Sequence, residues 1–154
     1  MGNTIYTVGY RGRSPEELIE LLKRHGIKVL VDVRHGKRAR KGFSAADLRK
    51  RLEEHSIAYI SMPCLGVPKI VRESYIDGKI SFECFRQWYL WWIEKNRGEW
   101  EDTIRKIKGI EVVAIMCAER YPKPRKGQRH YCHRDILADY LVERGFFEDR
   151  FDIE

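Results

Sequence analysis

The chain has 154 residues, 43% of them hydrophobic and 34% charged, with a formal net charge of +7 at pH 7. That length suits one domain that buries about two thirds of its unfolded surface, and the composition is that of a soluble globular protein. No apolar run approaches the ~20 residues of a membrane span, and MGNTIYTVGY lacks the basic, apolar and small-residue order of a signal peptide, so a cytoplasmic protein with no membrane partner is expected. Four cysteines without a secreted context read as thiols rather than a disulfide framework. The basic balance is compatible with a polyanionic partner, and equally with a solvated Lys-, Arg- and Glu-rich surface.

Thr4 to Val8 is a short β-rich run ending at Gly9, and Ser14-Pro15-Glu16-Glu17 opens a helix. Ser14 suits the N-cap, Pro15 the first helical position, and Glu17 completes a capping box. Leu18, Ile19, Leu21 and Leu22 form the buried stripe, and Gly26 ends the helix. Ile27 to Val33 is a strand too continuously apolar for a half-exposed edge. The chain therefore begins β, α, β, a right-handed crossover between parallel strands. Beyond Asp32-Val33-Arg34 it enters His35-Gly36-Lys37-Arg38-Ala39-Arg40-Lys41-Gly42-Phe43, where four of nine residues are Lys or Arg. Such a loop, at the carboxyl end of a parallel strand, is placed to wrap a phosphate, the plain solvated loop being the alternative.

Ser44 is a second N-cap, with Leu48 and Leu52 inward and an end near His55, and Ile57 to Met62 is a third strand. Pro63 and Pro68 then bracket Cys64 and Gly66 in a tight loop, with Cys64 read as a structural thiol. Ser81 caps a long helix from Phe82 to Arg97 carrying Phe85, Trp88, Tyr89, Trp91, Trp92 and Ile93. One stripe cannot hold so many aromatics, so some are left for a groove, for base stacking or for a homodimer contact. Glu99 to Ile107 is a further helix and Val112 to Met116 a buried strand. A Pro- and base-rich loop leads from there to a helix that starts at Cys132 and buries Ile136, Leu137, Tyr140 and Leu141. Gly145 caps it, and Phe151-Asp152-Ile153 adds a short last strand. The sum is a single three-layer α/β domain, a central mostly parallel sheet flanked by helices, of Rossmann-like type.

In such a sheet ligands sit beyond the carboxyl ends of the strands, where helix N-termini also point. Cys117, Glu119, Cys132, His133 and Arg134 all face that crevice on this reading. Cys132, at a helix start beside His133 and Arg134, is the better candidate for a reactive thiolate, with Cys117 as a buried, inert alternative. The two cysteines are also candidates for a redox pair. Metal is not expected, because their spacing with His133 matches no compact zinc pattern and a fourth ligand would have to come from elsewhere in the chain. No cofactor is implied. Asp32 and Glu119, beyond different strands, can divide into acid and base, unless Asp32 merely pairs with Arg34 or Arg134. Arg11, Arg34 and Arg134 share the predicted rim and suit bidentate binding of an oxyanion.

The ordered motifs TVGYRGRSPEELIELLKRHGIKVLVDVR, Leu65-Gly66, MCAE, CHR and LADYLVERGF resemble the domain of unknown function 488 family across nearly the whole chain. The resemblance implies one α/β domain and a shared site at Gly9, Tyr10, Ser14, Asp32, Arg34, Cys117, Glu119, Cys132, His133 and Arg134; it transfers no substrate. The chain departs from the family's proline- and serine-bearing loop after VDVR, and its spacer between CAE and CHR is long and basic, which favours an extended anionic ligand. A weaker similarity is to rhodanese-like domains, where a strand ends in a nucleophilic Cys, though the short phosphate-cradling loop expected after that Cys is absent.

The resulting expectation is an enzyme acting on nucleic acid or a nucleotide-like, phosphate-bearing small molecule. Asp32 and Glu119, or Cys117 and Cys132, would be catalytic. Gly9, Tyr10, Arg11, Ser14, Arg34, Lys37, Arg38, Arg40, His133 and Arg134 would bind substrate. Cysteine-dependent sulfur or phosphoryl transfer and a noncatalytic nucleic-acid-binding module are the alternatives.

Overall fold

The computed structural model describes residues 3–36 and 39–154, and Lys37 and Arg38 lie outside the described residues. In chain order the elements are β1 (Thr4–Gly9), α1 (Pro15–Arg24), β2 (Val29–Asp32), α2 (Ala45–Glu53), β3 (Ala58–Ser61), a 3-10 turn (Pro63–Leu65), α3 (Lys69–Ile76), α4 (Phe82–Lys95), α5 (Arg97–Lys108), β4 (Val113–Cys117), α6 (His133–Glu143) and β5 (Asp149–Asp152). The five strands form one sheet in the order β3-β2-β4-β1-β5, every neighbouring pair parallel.

The strands' period of two sorts their side chains onto two helix layers. Val29, Val31, Val113, Ile115 and Cys117 pack with residues of α3, α4, α5 and α6, whereas Val8, Leu30, Ala114 and Met116 pack with those of α1 and α2. Both faces are covered, which is why β2 and β4 are apolar without alternation. From β1 the chain crosses through α1 on one face toward β2; from its neighbour β4 it crosses through α6 on the other face toward β5. Connections that leave adjacent strands in opposite directions open a crevice at their carboxyl ends, the usual ligand position in such sheets.

Local signals explain most of the helix starts. Ser14, Ser44 and Ser81 each accept a hydrogen bond from a backbone N–H three residues on, at Glu17, Asp47 and Cys84. At Ser14 the box is complete, since its own N–H donates to Glu17 Oε1 at 2.7 Å. In α4, Phe85, Tyr89 and Ile93 enter the core, and Trp88 and Trp92 stack at 5.2 Å at its edge; Trp91 stays 54% exposed. The Trp92 indole donates to the Gly66 carbonyl at 3.0 Å, tying α4 to the proline loop. Among the described residues no helix is long and apolar enough to cross a membrane.

Two features differ from expectation. The last strand begins earlier, at Asp149, where Thr4 and Thr7 hold Asp149 and Asp152 through their hydroxyls, and Ile153 is a buried residue beyond it. The helix α3 has no sequence signal at its start: Pro68 stands at its N-cap without a side-chain cap bond. As the Ser14 hydroxyl is already committed to α1, Ser14→Ala is expected to cost about 1 kcal/mol in urea unfolding. Ligand affinity should be unchanged; a stability-neutral change that weakens binding would return this hydroxyl to the site.

Candidate functional site

The floor of the crevice is built where β4 ends. Gly9 pairs with Cys117 across β1 and β4, and the two chains stay paired beyond the strands, the N–H of Tyr10 donating to the Cys117 carbonyl and that of Arg11 to the Ala118 carbonyl. A Cβ at Gly9 would lie 1.6 Å from the Glu119 carbonyl oxygen, so only glycine allows this approach. Arg134, in the first turn of α6, is fully buried beneath. Its Nη1 donates to Cys117 Sγ at 3.0 Å and to the Glu119 carbonyl at 2.6 Å, and its Nη2 donates to the Arg120 carbonyl at 2.9 Å. Burial pushes this guanidinium down to about 10, the charges of Asp152 and Glu119 opposing it, so it stays protonated at neutral pH.

Cys132, the N-cap of α6, brings its sulfur into bonding contact with that of Cys117, with the two Cα atoms 7.7 Å apart. His133 packs edge-on to Tyr89, its Nε2 is 2.8 Å from the Val33 carbonyl and its Nδ1 is 4.0 Å from Cys132 Sγ. A carbonyl only accepts, so the imidazole proton sits on Nε2 and the Nδ1 lone pair faces the sulfurs. Burial, with Arg134 and Arg72 nearby, pushes His133 down to about 4 against the Val33 bond, so the ring is neutral. Cys117, Cys132 and His133 thus present three donor atoms within 4.8 Å of one another.

Above this floor lies a cavity of 1170 Å³. Among the described residues its wall carries Arg11, Arg34, Arg40, Lys69, Arg72, Arg120, Lys126 and Arg129 against the carboxylates Glu73 and Glu119. Glu119 spans two arginines from different elements, Arg11 Nη1 to Oε2 at 2.9 Å and Arg72 Nη2 to Oε1 at 3.1 Å. Tyr10 stacks on Phe43 at 4.3 Å, and the Arg40 guanidinium lies over the Phe43 ring at 4.7 Å. On the far wall Tyr75 stacks on Phe85 at 4.6 Å and meets His130 edge-on. The basic spacer is folded back on itself: Gln128 accepts from the Tyr121 N–H and donates to the Tyr121 and His130 carbonyls, around a turn with Lys126 and Gly127 at positive φ.

Several expected site residues have other duties. Asp32 is 3% exposed; Arg34 Nε and Nη2 donate to it at 2.8 and 2.6 Å, the Tyr59 hydroxyl donates to Oδ2, and the Arg34 N–H to Oδ1. Burial and this carboxylate together push the Tyr59 phenol up to about 12. Asp32 therefore orders the loop, and its lone pairs are spoken for. Arg134 is beneath the floor rather than on the rim, so of the three rim arginines only Arg11 and Arg34 line the cavity. The guanidinium that touches a sulfur touches Cys117, whereas the sequence pointed to Cys132. Gly9 and Ser14 shape backbone, while Tyr10, Arg11, Arg40, Cys117, Glu119, Cys132 and His133 do line the cavity. Sequence reasoning missed Lys69, Arg72 and Tyr75, all on α3, and Tyr59 beside Asp32; the spacing from Arg72 to Tyr75 on one helical face was the available signal.

The family model described as domain of unknown function DUF488 matches residues 14–141. No curated protein and no solved structure matches the chain. The match agrees with the first resemblance and gives nothing for the rhodanese-like one. If Asp32 is structural, Asp32→Asn should cost about 3 kcal/mol by leaving the Arg34 charge unpaired, and adding Arg34→Met should recover much of it. Urea unfolding of the two variants checks this; an Asp32→Asn chain as stable as wild type would reopen an acid-base role.

Proposed function

The chain belongs to the domain of unknown function DUF488 family, and we propose that it is an enzyme acting on a nucleotide or a single-stranded segment of nucleic acid held by its phosphates in this cleft. The observation that carries the proposal is the concentration of eight Lys and Arg residues against two carboxylates in one cavity at the carboxyl ends of the strands. Low-dielectric walls lined by one sign of charge focus the field and raise the local concentration of anions. The volume of 1170 Å³ exceeds the 300–1,000 Å³ of most small-molecule pockets, which suits a ligand longer than one phosphate group.

Glu119 is the carboxylate placed to act on the substrate. In the free protein it bridges the half-exposed Arg11 and Arg72, and a phosphate that takes over these two guanidiniums releases its oxygens beside the bound chain. The second reading, cysteine-dependent sulfur or phosphoryl transfer, is favoured by one contact, the Arg134 guanidinium 3.0 Å from Cys117 Sγ, which would stabilise a thiolate there once the contact between the two cysteine sulfurs is reduced. Activity that survives alkylation of both cysteines removes it.

Fluorescence anisotropy with labelled single- and double-stranded DNA and RNA across a salt series, followed by a denaturing gel of the same samples, tests the first reading. Affinity should fall steeply with salt, and Arg72→Ala should weaken every sequence alike and lower the log–log slope by about one. Glu119→Gln should remove turnover and spare binding; equal loss of both would take Glu119 out of the chemistry. Absence of binding at low salt overturns the nucleic-acid reading.

A further inference from the structure

We propose that Cys117 Sγ, Cys132 Sγ and His133 Nδ1 are the three protein ligands of one zinc ion, with its fourth position open to the cavity. These three donors lie within 4.8 Å of one another although Cys132 and His133 come from the start of α6 and Cys117 from the end of β4. Two thiolates and an imidazole form a set that suits zinc, and three protein ligands with one open position is the pattern of a catalytic rather than a structural site.

The surroundings match what a zinc site requires of its outer shell. A ligating histidine normally gives its other ring N–H to a carbonyl or carboxylate, which fixes the tautomer and the ring plane. His133 Nε2 stands 2.8 Å from the Val33 carbonyl, leaving Nδ1 toward the sulfurs. A sulfur and an imidazole nitrogen on one tetrahedral zinc are about 3.6 Å apart, given bond lengths of about 2.3 and 2.0–2.1 Å. The observed 4.0 Å from Nδ1 to Cys132 Sγ is close to that spacing. Arg134 Nη1 stands 3.0 Å from Cys117 Sγ, where it would be the outer-shell partner of the thiolate in the reduced chain. The Cα atoms of Cys117 and Cys132 are 7.7 Å apart, whereas disulfides usually hold them at 4.4–6.8 Å, so the backbone leaves room for an ion between the sulfurs. All three residues line the cavity, which supplies the route to the open position. The ion needs both cysteines as thiolates, so zinc and a Cys117–Cys132 disulfide exclude each other, and an external thiol or phosphine reductant must be present for loading.

The full chain, reduced with a phosphine and loaded with zinc or cobalt(II), then dialysed, tests this. One metal per chain is expected by elemental analysis. The cobalt form should show thiolate-to-cobalt charge transfer with four-coordinate ligand-field bands, and zinc X-ray absorption should show two sulfur neighbours and one imidazole. Cys117→Ser, Cys132→Ser and His133→Gln should each weaken zinc by more than the roughly 100-fold that loss of an outer-shell partner can cost. Cys84→Ser, at an exposed free cysteine, should leave binding unchanged. Should a ligand variant fail to fold, the spectra of the wild-type chain still decide. No retained metal in the reduced chain, or a first shell without two sulfurs, overturns the proposal. Metal is read without any nucleic acid, so its absence would leave the phosphate reading standing, and failure of nucleic-acid binding would leave the metal site standing.

Discussion

The arrangement depends on one buried charge. Arg134 is fully buried with no carboxylate in hydrogen-bonding contact, so backbone carbonyls and a sulfur meet its two Nη groups while its Nε is left without a partner. An unmet guanidinium in such a place would cost several kcal/mol, so the exit of β4 is drawn around it. The Glu119 and Arg120 carbonyls turn inward, and the Glu119 carbonyl comes so near Gly9 that no side chain fits. The first turn of α6 is thereby pinned to the end of β4, which is what brings Cys132 and His133 to Cys117. Fold and site share this contact, and neither can be altered there without the other.

The arginines of the chain divide by what they touch. Arg13 donates to the Gly9 and Glu154 carbonyls, Arg40 to the Arg13 carbonyl, Arg34 to Asp32, and Arg134 to the β4 exit; these hold loops in place. Arg11 and Arg72 are about half exposed and share a single carboxylate. A net charge of +7 alone would not distinguish these groups. Arg13 and Arg134 spend their donors on carbonyls and a sulfur rather than on carboxylates, so unlike Arg34, which Asp32 neutralises, they keep an unpaired positive charge inside the fold.

The sheet, five of the six α-helices and the position of the crevice were legible in the sequence, because each rests on a local signal. Serine caps opened three helices, and unbroken apolar runs marked the two central strands. The helix α3 was illegible because its start uses a proline with no capping side chain, and with it went Arg72 and Tyr75. The choice between the two readings of Asp32, and the burial of Arg134, were illegible for another reason. Sequence puts both at strand or helix ends near one crevice, but whether a charge points into the cavity or under it depends on partners such as Tyr59, 27 residues away. The convergence of Cys117, Cys132 and His133 escaped the usual spacing rules because those describe ligands on short local hairpins, whereas this group is assembled by sheet order.

That assembly rests on strand parity. Successive residues of β4 point to opposite faces, and Cys117 shares the face of Val113 and Ile115 that packs against α6, while Met116 and Ala118 face α1 and α2. A slip of one residue in the pairing of β4 with β1 would exchange these sets and put Met116 opposite Cys132. The register is held from both sides, by Gly9 against Cys117 in β1 and by the Val33 N–H on the Met116 carbonyl beyond β2. The same Val33 residue offers its own carbonyl to His133. The end of β2 therefore sets both the register that aims the first sulfur and the tautomer that aims the imidazole, so the chemistry of the floor follows from the order of strands rather than from any segment read alone.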